Sequence, residues 1–175
     1  QNGDKIFAVD SSLDNIGRIM PRKYYGADVQ AKWKHEWGTT EIRGEYWFGK
    51  QTGNAVTTSN PGVIPEQPQY VRSFNGAFFY LLQNIVNHKN QLILKYDWYD
   101  PNNKVTAKDI GKAGTNLTAA DIKYSTFGIG FTHYFSDFLK AVAYYDIVTN
   151  EKTQLAGNMT NLKDNIFTFR LQYRF

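Results

Sequence analysis

The chain has no cysteine among its 175 residues, so neither a disulfide framework nor a thiolate metal site can organise it. It also lacks an unbroken apolar run of roughly 18 residues, which excludes membrane-spanning helices. Charge of one sign is missing as well. Twenty basic residues are scattered among 16 acidic ones, and no block of like charge marks a nucleic-acid partner. No basic segment leads into a short apolar core, so no signal peptide is visible. What the sequence does have is aromatic surface: Tyr 12, Phe 12 and Trp 4 make up 16% of the chain. That much surface seeks burial and argues against disorder, although the mean hydropathy of −0.51 looks soluble.

The aromatics follow a period of two. Near the C-terminus Phe167, Phe169, Leu171, Tyr173 and Phe175 alternate with Thr168, Arg170, Gln172 and Arg174. Such alternation puts one set on each face of a strand, whereas a helix would mix them around its axis. The same reading predicts strands at about 25–37, 42–48, 72–82, 91–99, 124–135 and 139–147. In 72–82 it assigns Phe74, Gly76, Phe78, Tyr80 and Leu82 to the apolar face, with Phe79 and Leu81 blurring the pattern. Residues 1–22 alternate poorly and read as a long loop, and Ile6–Val9 is a short strand at most.

Seven such segments, each near the ~9–11 residues a tilted strand needs to cross a bilayer, suggest a transmembrane barrel. The connections support it. Short ones are expected at Gly38-Thr39, Asn87-His88-Lys89 and Ser136-Asp137, and long polar ones at 52–69, 101–121 and 150–164. Short turns at one end and long loops at the other are the habit of outer-membrane barrels. The alternation also reconciles many aromatics with low hydropathy, because only every second residue has to face lipid. A soluble β-sandwich shares the alternation but has no reason for the loop asymmetry. Trp37, Trp98, Tyr145, Tyr173 and Phe175 lie near predicted strand ends, where amphipathic rings favour the membrane interface.

More specific stretches occur in order: Lys95-Tyr96-Asp97-Trp98-Tyr99-Asp100-Pro101-Asn102, Asp121-Ile122-Lys123-Tyr124-Ser125-Thr126, Ala143-Tyr144-Tyr145-Asp146-Ile147-Val148, and Lys163-Asp164-Asn165 before the final strand. Over most of 24–175 they resemble the C-terminal part of the phosphate-selective porin O and P family, in its Bacteroidetes-type branch. The resemblance implies a 16-stranded, often trimeric barrel in the bacterial outer membrane. It implies passive diffusion of small solutes, anions such as phosphate among them, with no cofactor. The terminal Phe175 on an amphipathic strand resembles the signal read by the barrel-assembly machinery.

Seven is an odd number, and bacterial single-chain barrels have even counts. At roughly 25 residues per strand and connection, 16 strands need on the order of 400 residues. The expectation is therefore the C-terminal part of a larger barrel, parted from its N-terminal strands by cleavage in a long loop or by incomplete sequence assignment. Residues 1–22 would then be external and 23–175 part of one barrel domain. The alternative is a complete eight-stranded barrel that recruits Ile6–Val9, with a structural or ligand-binding role and a lumen filled by side chains.

The predicted water-facing set contains Lys32, Lys34, Arg43, Lys95, Lys140, Arg170 and Arg174, with Asp28, Glu36, Glu41, Glu45, Asp97 and Asp146. Rings of one sign would set selectivity in a pore. Here the signs nearly balance. The set reads either as a basic track through Lys95, Lys140, Arg170 and Arg174, or as cross-strand ion pairs that stiffen a wet wall. His35, His88 and His133 lack zinc-like spacing, so no metal site is expected. Ser125 or Ser136 with His133 and Asp137 could be drawn as a hydrolytic triad, but Ser125 and His133 fall on the apolar parity and Ser136 in a turn, so no enzyme is expected. Gly128-Ile129-Gly130 has no following helix and is not a phosphate loop. Asn116-Leu117-Thr118 and Asn158-Met159-Thr160 match the glycosylation acceptor pattern by chance.

Overall fold

The computed structural model describes residues 4–7, 21–58 and 69–175. Their strands are β1 (Asp4–Phe7), β2 (Lys23–His35), β3 (Gly38–Gly53), β4 (Gln69–Ile85), β5 (Asn87–Asp100), β6 (Tyr124–Tyr134), β7 (Leu139–Asn150) and β8 (Ile166–Tyr173). Strands β2 to β8 form one antiparallel meander in sequence order, and the sheet is not closed into a barrel. Strand β1 lies off this path. Its backbone pairs with Gln69, Tyr70 and Val71 of β4. The short-strand alternative therefore takes a different form: residues 4–7 pair in mid-sheet, not on the β2 or β8 edge that could close a barrel. The rest of 1–20 lies outside the described residues.

Several strands outrun the alternation that announced them. The seven residues expected at 42–48 belong to the 16-residue β3, and β4 has 17. Backbone pairing continues past the last alternating side chain, because partner strands keep supplying hydrogen bonds. The first short turn also sits earlier than expected, at Glu36-Trp37, with His35 opposite Gly38. Gly38 is required there: a Cβ would stand 2.3 Å from the Asn84 Cβ. The second turn centres on Val86, which has a φ of 65°, just after an irregularity in the pairing between Asn84 and Ile85. In the third, the Ser136 hydroxyl oxygen accepts from the Phe138 and Leu139 amides at 3.2 Å.

Directly opposed residues in an antiparallel pair share a face. The register therefore carries one face across the whole sheet. One central row reads Ala31, Ile42, Leu81, Leu94, Ile129, Tyr145, Phe167. The flanking rows on the same face hold Val29, Phe79, Tyr96, Phe127 and Ile147 on one side, and Trp33, Leu92, Phe131 and Phe169 on the other. The assignment within 72–82 is corrected here. Phe79 and Leu81 lie on the apolar face, opposite Tyr96 and Leu94, while Phe74, Phe78, Tyr80 and Leu82 join Lys95 and Asp97 on the polar face. Apolar residues occupy both parities of β4, so alternation alone could not choose between them.

The apolar face is open. Phe167, Phe169 and Leu171 are each more than 60% exposed, and Ile42, Phe79, Tyr96 and Ile129 are exposed as well. On the polar face Glu41 and Thr132 are buried, while Asp28, Lys32, Arg43 and Glu45 are exposed.

The buried hydrophobic cluster lies among the long loops. Ile110, Leu117 and Ile122 pack together, with Val105, Tyr124 and Leu155 against them. The loop between β5 and β6 is anchored by Asp121. Its Oδ1 accepts from Arg72 Nε at 2.8 Å and from Asn102 Nδ2 at 2.9 Å, and its Oδ2 accepts from the Thr118 amide at 3.0 Å. Thr118 returns the favour by capping a single 3-10 turn at Ala119–Asp121, a reciprocal box that satisfies the Thr118 and Ala120 amides at its start. Thr118 also donates to the Ala55 carbonyl, and the Gln154 amide donates to the Ile110 carbonyl at 2.9 Å. Three loops are thereby tied into one block.

Candidate functional site

The polar face collects the charged residues singled out by sequence. Lys32, Lys34, Glu41, Arg43, Glu45, Lys95, Asp97, Lys140, Asp146 and Arg170 all share its parity, as does Asp28. Arg174 follows the end of β8, and its amide donates to the Phe138 carbonyl at 2.8 Å. Glu36 lies in the first turn.

The register sorts these charges in a way the sequence alone did not reveal. One row places Asp28, Glu45, Phe78 and Asp97 side by side. The next places Gln30, Arg43, Tyr80, Lys95, Gly128 and Asp146. Toward the short turns come Lys32, Lys34, Lys140 and Arg170. Phe78 is thus flanked by carboxylates, and Tyr80 by bases.

Ion pairs hold the middle of this face. Lys95 Nζ lies 2.6 Å from Asp97 Oδ2 and 3.9 Å from Asp146 Oδ1. Arg43 pairs with Glu41, which also accepts from Gln30 Nε2 at 2.5 Å. Lys95 is therefore a member of an ion-paired network, separate from Lys140 and Arg170. Neither Lys140 nor Arg170 has a carboxylate within 4.0 Å among the described residues, and Lys140 Nζ sits 5.6 Å from the centre of the Tyr134 ring. A cavity of about 580 Å³ opens on this side near the short turns, lined by Lys32, Glu41, Gln91 and Tyr134 among others.

Sequence reasoning missed the rings on this face. Trp47 stands opposite Gly76, and a Cβ on Gly76 would meet the indole at 2.8 Å. The indole therefore lies across the backbone of β4. Its centroid is 6.3 Å from that of Phe78, which is 5.7 Å from that of Tyr80. Tyr144 lies the same way across β6, where a Cβ on Gly130 or Gly128 would strike its ring or hydroxyl at 2.1 and 1.9 Å. The sequence signal was available in the glycines: Gly76, Gly128 and Gly130 each face an aromatic residue or its neighbour one strand away.

The expected interfacial rings are on the other face or at its ends. Trp98 Nε1 donates to Asn75 Oδ1 at 3.0 Å, and the Tyr145 hydroxyl accepts from Asn165 Nδ2 at 3.2 Å. Trp37 is in the first turn, 4.1 Å from the His35 ring, and is half exposed. Tyr173 and Phe175 are neighbours at 6.5 Å, and Phe175 is fully exposed. The residues of the paper triad are otherwise engaged: His133 Nδ1 lies 2.8 Å from Asn90 Oδ1, and the Ser136 hydroxyl holds its turn. No group of three or more His, Asp or Glu suited to a metal ion occurs among the described residues. Comparison with family models, curated proteins and solved structures gave no match to this chain.

Proposed function

We propose that this chain forms a wall segment of a bacterial outer-membrane porin, a water-filled barrel for passive diffusion of small solutes. One observation carries the reading: the open apolar face is free of charge over a membrane-sized span. From Ala27 to His35 on β2, and over the matching positions of β3 to β8, no Asp, Glu, Lys or Arg points to that side. Eight steps at ~3.3 Å give about 26 Å along a strand, close to the apolar band of a barrel. Water would make such a face insoluble, whereas lipid stabilises it.

The edges support a larger barrel. Strands β2 and β8 are six steps apart in an antiparallel meander, so they run in the same direction. They cannot close on each other with antiparallel pairing. An odd number of further strands restores the alternation and removes both edges. The resemblance to the phosphate-selective porin O and P family suggests sixteen strands, a homotrimer, small anions such as phosphate among the solutes, and recognition of the Phe175 strand by the barrel-assembly machinery. Long loops then face outward, and the short turns face the periplasm.

The test is conductance of the complete protein in planar bilayers. Discrete steps are expected, and their absence sinks the porin. A reversal potential of cation-selective sign would remove the anion preference while leaving the pore. A denatured mass of ~40–45 kDa for the complete gene product is expected from the strand arithmetic, against 20.1 kDa for this chain.

A further inference from the structure

We infer that the polar face carries a rail for neutral oligosaccharides, built from Trp47, Phe78 and Tyr80. This deepens the porin reading by naming a solute class. The three rings follow one another along the strand direction, with centroids 6.3 and 5.7 Å apart. Each is partly exposed, so each offers surface to a solute. Gly76 lets the indole lie along the wall instead of standing out from it. A water-facing wall gains nothing from three adjacent rings unless something apolar passes over them.

The flanks of the rail select the kind of solute. Phe78 has Glu45 and Asp97 directly opposite on its two sides, and Tyr80 has Arg43 and Lys95. Acceptors thus border one ring and donors the next. A sugar presents apolar C–H faces to aromatic rings and hydroxyl groups at its rim that both donate and accept. Arg43 is tied to Glu41 and Lys95 to Asp97, so although Glu45 has no basic partner within 4.0 Å among the described residues, both flanking bases are engaged. That favours an uncharged polyhydroxylated chain over a zwitterionic dipeptide, whose carboxylate would need an unpaired base.

Maltohexaose is the probe. The complete protein, folded in detergent, is titrated, and tryptophan fluorescence is followed. Saturable quenching is expected, lost in Trp47→Phe and kept in Trp98→Phe, whose ring is on the other face. Phe78→Ala should weaken binding about ten-fold, the worth of one aromatic contact. Tyr80→Phe retains the ring and the fold, and should bind within about three-fold of the parent. No saturable quenching in the folded parent overturns the rail, as does tighter binding of glycyl-phenylalanine than of maltohexaose. Binding without conductance steps in the bilayer experiment keeps the rail and rejects the pore. Steps without binding do the reverse.

Discussion

On the wall, Phe169 and Leu171 stand open while the opposite face holds charges and rings. At the loop end, Ile110 and Ile122 are wholly buried, together with the Arg72–Asp121 pair. The same chain therefore stabilises its two regions against different surroundings. The loop block carries an interior of the kind found in water-soluble domains, with apolar packing beside the hydrogen-bonded Thr118–Asp121 turn. The wall has no such interior. Its apolar side chains gain from burial only when another apolar surface covers them, the hydrocarbon of a bilayer in the function proposed above. Strand β4 joins the regions: its Arg72 end belongs to the block and its Phe79–Leu81 stretch to the wall.

Asp121→Ala should produce the largest effect. It leaves the buried Arg72 guanidinium uncompensated, at a cost of roughly 3–5 kcal/mol. Hydrogen exchange should show the 101–123 loop opening while β6 to β8 remain protected. Equal loss along the wall would mean that the two regions form one cooperative unit. Ile122→Ala should cost about 2–4 kcal/mol through the cavity it leaves, read as a lower urea midpoint for loop protection. Phe169→Arg asks the opposite question of the wall. In a bilayer it should cost roughly 2–4 kcal/mol in folding titrations with lipid vesicles. A neutral effect there, with improved solubility, would mean that lipid does not cover this face.

The smallest effect concerns acid. Burial holds the Glu151 carboxyl above its usual 4.5, opposed by the hydrogen bond from the Lys123 amide. A raised folded value means that folding favours the protonated form. Its contribution is complete below about 4.5 and is lost as pH rises through the raised value. The urea midpoint for loop protection should therefore fall modestly over that window, and Glu151→Gln should flatten the profile. An unchanged slope in the variant would assign the effect elsewhere.

The strands were legible because period-two alternation survives wherever the two faces meet different surroundings. In β8, Phe167 through Tyr173 gave the correct parity without any partner. The same signal failed in β4, where Phe78, Phe79, Tyr80 and Leu81 put bulk on both sides. Only pairing with Leu94 and Tyr96 decides that strand. The charge rows were hidden for a related reason. Asp28, Glu45 and Asp97 are far apart in sequence, and register alone aligns them. The Asp121 anchor did have a local sign in Thr118-Ala119-Ala120-Asp121, a three-residue capping interval, but its partner Arg72 is 49 residues away.

The flat Tyr144 ring has a consequence for how the hairpin finds its alignment. Alternation penalises a slip of one residue, since it turns every side chain over, yet a slip of two leaves both faces chemically unchanged. Tyr144 fits only because Gly130 and Gly128 leave a trough in the neighbouring strand. Sliding β7 by two residues in one direction would carry the ring onto Thr132, which has the Cβ the trough lacks. The tyrosine and the two glycines thus act as key and slot, rejecting a misalignment that hydrophobicity cannot detect.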